Sequence, residues 1–399
     1  HMFISRKIYP DLLKHAKTPS VTVLTGMRRT GKTTLIKQLQ LDLKNKNSLF
    51  IDLQMPDNRL IFSQTNYQNI LEYFISQNLN PKRKIIILID EVQFVPEAPS
   101  VIKYLYDHYK IKFIITGSSS YYLKNLFNES LSGRKKIFEL FPLDFSEFLA
   151  FKKIAYVKNI DLNSYEFSDL DFNRLASAYE EFIHFGGFPQ VALASSKKDK
   201  VDILRDILSS YVNIDIRTLA DFSDERNLFS LMKLLANRVG SKIDYSKLSR
   251  LTGVSRSTIK NYLTFFEKTY LIQTVAVYTR NADREIVKAR KLYFCDTGLA
   301  NILTPIGTGA QFENTVFNQL ARVGRVRYYS LKNGREIDFI LNEEYAVEVK
   351  ETPTEIDLNK LKTISNTAGL KKYFLIGKNK SPKFRKYIWG GDLNQQINI

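Results

Sequence analysis

Between Val21 and Leu143 the chain alternates short runs that are apolar on both faces with stretches whose apolar residues recur every three to four positions. The runs are VTVLTG, SLFIDL, KIIILIDE, IKFIITGSS and KIFELFPL. A strand that is apolar on both faces must be covered on both, and strands separated by helices cross over into a parallel sheet. The pattern therefore predicts an α/β core with helices on either side. From Asp144 to Leu235 no run reads as a strand. LASAYEEFIHF and VDILRDILSSYV space their apolar residues as helix faces, which predicts a helical subdomain with SSKKDK as an exposed connection.

From Ala236 to about Leu303 two short helices flank Thr252-Gly253-Val254 and β-like segments follow. After Pro305 the order is a helix (QFENTVFNQLARV), three strands (RVRYYSL, REIDFIL, YAVEVKE), another helix and a strand (KYFLIG). These changes of period predict a core over residues 1–150, a helical lid over 151–235, a winged helix over 236–304 and a C-terminal α/β domain over 305–399.

Composition adds a partner. The 59 Lys and Arg residues outnumber 41 Asp and Glu, leaving a formal charge of +18. Such an excess repels itself unless an anion is nearby, which points to nucleic acid or an acidic membrane surface. No apolar run approaches the length of a membrane span, so DNA is the expected macromolecular partner and no membrane is. HMFISRKIYPDL contains no signal-peptide core, and His1-Met2 looks like a cloning scar. One cysteine, Cys295, excludes an intrachain disulfide framework, and with four His it makes a structural zinc site improbable. A cytoplasmic protein is expected.

The strand VTVLT runs into Gly26-Met27-Arg28-Arg29-Thr30-Gly31-Lys32-Thr33 and then into a helical stretch, the GxxxxGKT pattern in its strand–loop–helix setting. Gly26 and Gly31 let the backbone wrap so that successive N–H groups point at phosphate oxygens, and the helix adds its positive end. Lys32 then reaches the β- and γ-phosphates of ATP, and the Thr33 hydroxyl ligates Mg²⁺. Arg29, Thr30 and Thr34 fill out the nucleotide site, which would hold ATP before hydrolysis and ADP after it. In KIIILIDEVQ a buried strand ends at Asp90, placed to hold Mg²⁺, with Glu91 next to it to polarise the attacking water. IKFIITGSSS ends in Thr116, Ser118 and Ser119, among which a phosphate sensor is expected; Ser118 is the candidate contact. Arg134, in SLSGRKK, is either an arginine finger completing the site of a neighbour in a homo-oligomer or an exposed surface arginine.

These residues resemble the AAA+ class, in particular the STAND-like prokaryotic ATPases that share a C-terminal domain of unknown function. The likeness runs over nearly the whole chain, through GMRRTGKTTLIKQL, IIILIDEVQ, LSGRKKIFELFPLDFSEFL and GGFPQVAL. It implies that the lid's Gly187-Phe188-Pro189 contacts adenine through Pro189; a helix-breaking turn is the other reading of that proline.

YSKLSRLTGVSRSTIKNYLTFFEKTYLI reads as helix–turn–helix followed by a strand. Arg256, Ser257, Lys260 and Asn261 face away from the apolar stripe of the second helix, a short polar lead suited to the major groove. Arg284, with Arg280 and Lys288, would meet backbone phosphates. Protein contact is the competing use of such a unit. In the C-terminal domain Glu313 lies on a helix, Asp338 on one strand and Glu348 and Lys350 on one face of the next. Carboxylates beside a lysine make a hard-oxygen site for Mg²⁺, and their order resembles the PD-(D/E)xK nucleases. Glu313, Asp338 and Glu348 are the expected metal ligands, with Asp338, Glu348 and Lys350 the catalytic residues of a DNA-cleaving site. A nuclease-like fold that only holds DNA or a protein under nucleotide control is the alternative.

Overall fold

The computed structural model describes residues 3–118, 133–156, 160–161, 165–217, 225–279, 285, 288–331, 333–393 and 397–398. The chain folds into two compact units. The first comprises His1–Phe141, Ser209–Asp221 and Lys268–Tyr270, and the second comprises Pro142–Leu208, Phe222–Glu267 and Leu271–Ile399. Ser209–Asp221, which the sequence pattern alone joins to the helical segment, thus packs with the P-loop core.

In the first unit the strands are β1 (Val21–Thr25), β2 (Ser48–Asp52), β3 (Ile86–Asp90), β4 (Lys112–Gly117) and β5 (Lys135–Glu139). They form one parallel sheet in the order β2-β3-β4-β1-β5. Every residue of β1, β3 and β4 is buried, which is why their sequences lack alternation. Leu24, Leu88 and Ile114 point to one face, where they join Leu12 of the helix Tyr9–Ala16 and Leu35, Ile36 and Leu39 of the helix Lys32–Asp42. Val23, Ile87, Ile89 and Ile115 point to the other, against Ile70 and Phe74 of the helix Tyr67–Ser76 and Val101, Ile102 and Leu105 of the helix Ala98–Tyr109. Each such side chain contributes about 1.5–3 kcal/mol on full burial.

The strand order decides where the chemistry goes. Because β4 lies between β1 and β3, the loop leaving β1 and the acids ending β3 face each other across the tip of β4. Gly26 enables the loop to leave β1. Its φ is 155°, and a Cβ there would lie 2.1 Å from the Leu140 carbonyl oxygen. Buried Arg6 braces the same turn by donating to the carbonyls of Thr30 at 3.0 Å and Phe141 at 2.8 Å.

In the second unit the helix Tyr245–Thr252 is capped by Asp244, which accepts from Lys247 N at 2.9 Å, and ends at Gly253 with φ 70°. The helix Arg256–Lys268 follows, burying Ile259, Tyr262, Leu263, Phe265 and Phe266. After β6 (Ile160–Asp161), β7 (Ile272–Val275) pairs antiparallel with β8 (Lys291–Phe294). The remaining strands are β9 (Val326–Ser330), β10 (Glu336–Leu341), β11 (Tyr345–Lys350), β12 (Lys372–Gly377), β13 (Ile388–Trp389) and β14 (Ile397–Asn398). β14 pairs with β6, while the other five form a sheet in the order β13-β12-β11-β10-β9. β9, β10 and β11 are antiparallel, and the helix Glu355–Ala368 crosses over to put β12 parallel to β11. No helix among the described residues is long and apolar enough to cross a membrane.

The two loop glycines differ in a measurable way. A Cβ on Gly31, where φ is 100°, meets nothing within 4 Å. Gly31→Ala is therefore expected to cost on the order of 1–2 kcal/mol, from backbone strain alone. Gly26→Ala must also displace the Leu140 backbone and is expected to cost about 3 kcal/mol or more. Urea denaturation of both variants checks this, and equal midpoints would contradict the close approach at Gly26.

Candidate nucleotide site and C-terminal acid pair

Beyond β1 the loop turns into the helix Lys32–Asp42 at Gly31, which supplies no side-chain cap. The first-turn N–H groups of a helix have no intrahelical partner, so this end suits an anion. Lys32 is only 3% exposed. Its ammonium folds back over the loop, donating to the carbonyls of Gly26 at 2.7 Å and Met27 at 3.0 Å. Burial pushes its pKa down, while Glu91, Asp215 and Asp90 pull the other way. The Thr30 hydroxyl pins the same loop by donating to the Met27 carbonyl at 2.8 Å. Arg29 takes a left-handed φ of 65° with its side chain exposed, and Thr34 is exposed on the first turn.

The Thr33 hydroxyl donates to Asp90 Oδ2 at 2.6 Å. A hydroxyl and a carboxylate in this contact offer the hard oxygens Mg²⁺ takes, so the residues present fit the metal. Thr116, at the end of β4, donates to Asp90 Oδ1 and accepts from the backbone N–H of Glu91 at 3.1 Å. Burial raises the Asp90 pKa against the lowering effect of both hydroxyls. Glu91 itself sits at φ 56°, in the left-handed region a non-glycine residue rarely occupies, directly after β3.

Three further residues gather here that the motifs do not name. Gln93 donates its amide to Glu91 Oε2 and, at 2.9 Å, to Ser118. Ser118 donates to Asp215 Oδ1 at 2.6 Å. Arg28 bonds Asp215 Oδ2 at 2.9 Å and lies 3.8 Å from Glu91 Oε2. Gln93 was legible as the residue two past Glu91, and Arg28 as a variable loop position. Asp215 carried no signal at all, because it sits in a helical run far away in sequence, on the π-helical turn Tyr211–Ile216.

Arg134 precedes β5, and its carbonyl accepts from Val21 N at 2.8 Å, so it lies at the entry of the sheet, roughly 13 Å of strand from the loop. There its Nη1 donates to both carboxylate oxygens of Asp107, at 2.6 and 2.7 Å. Pro189 opens the helix Pro189–Leu193 of the second unit. Close packing dictates the glycines before it, since a Cβ on Gly186 would meet Asp296 Oδ1 at 2.1 Å. Arg256, Ser257, Lys260 and Asn261 are exposed along one helix. Ser119, Arg280 and Arg284 lie outside the described residues.

In the C-terminal sheet, Asp338 on β10 and Glu348 on β11 share a face with Lys350. Val349 N donates to Asp338 Oδ2 at 2.9 Å, Asp338 N to Glu348 Oε2 at 3.4 Å, and Lys350 Nζ to Glu348 Oε1 at 2.7 Å. Burial and then the nearby Asp338 push Glu348 up to about 7. The same two causes push Glu313 up to about 7. The three acids do not assemble into a metal cage: among the described residues no three His, Cys, Asp or Glu are grouped so as to hold an ion. The physical reason is that Glu313 is engaged by the Tyr293 hydroxyl at 2.7 Å while Asp338 and Glu348 pair with β-strand amides and Lys350. A cleft of about 450 Å³, lined by Arg335, Glu336, Glu348, Lys350, Asp357 and Lys360 among others, opens beside the pair.

Comparison with known proteins adds families to this geometry. Residues 308–390 match a domain of unknown function (DUF4143), and residues 176–310 match another (DUF8612). An uncharacterised protein of Haemophilus influenzae is 29% identical over 377 residues, covering 89% of each chain. One of Methanocaldococcus jannaschii is 29% identical over 349 residues, covering 85% of this chain and 74% of the relative. Among solved structures, a signal transduction ATPase with numerous domains and a tetratricopeptide repeat sensor, from Pyrococcus horikoshii, is 15% identical. It aligns with a TM-score of 0.31 over 81% of this chain and 45% of its own. An extended Hsp104:casein complex from S. cerevisiae is 13% identical, with a TM-score of 0.32 over 61% of this chain and 47% of its own. Residues 18–149 match the family described as AAA domain, so the first unit carries an AAA-type ATPase domain.

Proposed function

We propose that the chain hydrolyses Mg-ATP at the tips of β1, β3 and β4 and uses that cycle to control an action of its second unit on DNA. The observation that carries this is the meeting of Lys32, Thr33, Asp90 and Glu91 at one buried point. Lys32 is placed to donate to the β- and γ-phosphates once the carbonyls of Gly26 and Met27 release it. Thr33 and Asp90 would hold Mg²⁺, which supplies charge neutralisation on the phosphates. Glu91 polarises the attacking water, while the Thr116 hydroxyl orients the Asp90 carboxylate and holds the Glu91 backbone N–H.

Exposed Arg256, Ser257, Lys260 and Asn261, with the β7–β8 hairpin after them, support a winged helix that lies against DNA. A second reading, metal-dependent cleavage, is favoured by the Asp338–Glu348 pair, whose Glu348 lines an open charged cleft together with Lys350. Mg²⁺ is often held by one or two carboxylates, its remaining positions going to water and substrate phosphate. The pair fits that donor set. Lys350 would then stabilise the charge developing on the phosphodiester.

Lys32→Ala is expected to abolish Mg-ATP binding, while Glu91→Gln keeps binding and lowers kcat at least a hundredfold. Fluorescent-nucleotide titration and phosphate release check both, and tight binding by Lys32→Ala would contradict the assignment. Arg256→Ala/Lys260→Ala should weaken duplex DNA binding and flatten its salt dependence by roughly one to two phosphate contacts. An unchanged slope would place DNA elsewhere or nowhere. With Mg²⁺ or Mn²⁺, the wild type should nick supercoiled plasmid while Asp338→Ala and Lys350→Ala do not. No nicking by the wild type under any nucleotide condition favours a binding switch.

A further inference from the structure

Five buried side chains close a ring beside the nucleotide site. Glu91 accepts from Gln93, Gln93 donates to Ser118, Ser118 donates to Asp215, Asp215 accepts from Arg28, and Arg28 returns to within 3.8 Å of Glu91. One guanidinium therefore serves two carboxylates, and it lies closer to Asp215, at 2.9 Å, than to Glu91. A guanidinium stays charged at any working pH. The nearer it stands to Glu91, the more it occupies the carboxylate oxygens that Glu91 would offer to a water.

The backbone under Asp215 is unusual in the same place. Tyr211–Ile216 forms a π-helical turn, a rare conformation that appears mostly as single turns and often at functional sites. The Tyr211 hydroxyl is bonded to Thr269 at 2.6 Å, which anchors the turn within the ATPase unit. Asp215 thus lies at the end of a chain of hydrogen bonds that runs from Glu91 through Gln93 and Ser118.

We propose that Asp215 is a positioning residue for ATP hydrolysis: it holds Arg28 back from Glu91, so that the Glu91 carboxylate stays open to accept from the attacking water. This rests on Glu91 acting on the water, as proposed above. Asp215 touches neither phosphate nor metal in this role and acts only through Arg28. A merely bracing ion pair would instead affect folding and nucleotide affinity along with the rate.

The test is a cycle of Asp215→Asn in the wild-type and Arg28→Gln backgrounds, with kcat from phosphate release and Kd from fluorescent Mg-ATP titration. Asp215→Asn should lower kcat at least tenfold with Kd within about threefold of wild type. In the Arg28→Gln background the same change should alter kcat less than about twofold. Asp215→Glu, which keeps the charge, should recover most of the rate. The proposal is overturned if Asp215→Asn turns over within twofold of wild type, if its affinity falls in step with its rate, or if the tenfold loss persists without Arg28. Should Asp215→Asn not fold, Ser118→Ala loosens the same carboxylate from its other side. A loss of at least threefold in kcat at unchanged Kd supports the proposal, and an unchanged kcat overturns it. A wild type that does not hydrolyse ATP would instead overturn the ATPase function itself, a result distinct from any of these.

Discussion

The first unit depends on burying charge in matched sets. Lys32, Arg28, Asp90, Glu91 and Asp215 are each at most 8% exposed, an arrangement that no isolated ion tolerates. It holds because every member faces an opposite charge or a hydrogen-bond partner: Lys32 two carbonyls, Asp90 two hydroxyls, and Asp215 a guanidinium and a serine. Removing one partner from such a set strands the other in a dry site, at a cost of about 3–5 kcal/mol. The cluster therefore brings five charged side chains from distant parts of the sequence to one point at the tips of the parallel strands.

Much of that architecture was legible in the chain. Unbroken apolar runs at 21–25, 86–90 and 112–117 predicted buried parallel strands, and GxxxxGKT followed by Asp90-Glu91 predicted the loop and the acids opposite it. What sequence could not show was adjacency. Nothing local says that β4 inserts between β1 and β3, yet this insertion is what carries Thr116 and Ser118 into the site. Nor does a helical stretch at 197–216 reveal that its last turn changes pitch and delivers Asp215 to Arg28. Arg6 was invisible for the same reason, since its partners, the carbonyls of Thr30 and Phe141, are backbone atoms without a side-chain signature.

Elsewhere the pattern was legible and its chemistry less so. Alternation put Glu348 and Lys350 on one face of β11, and they do form an ion pair there. Proximity of three acids in a motif does not by itself make a cage, however. Glu313 bonds the Tyr293 hydroxyl and Asp338 accepts from a strand amide, and strand and helix geometry set those contacts rather than the order of letters. Arg134 illustrates the same limit: the letters place a basic residue before a strand, and the parallel register sets it at the entry of the sheet, paired with Asp107.

The most direct test of the central claim is calorimetric titration of the full chain with ATP, with and without Mg²⁺. The matched cluster of Lys32, Thr33 and Asp90 predicts saturable binding of one nucleotide per chain that is strengthened by the metal and displaced by ADP. Absence of any magnesium-dependent heat from folded protein would contradict it.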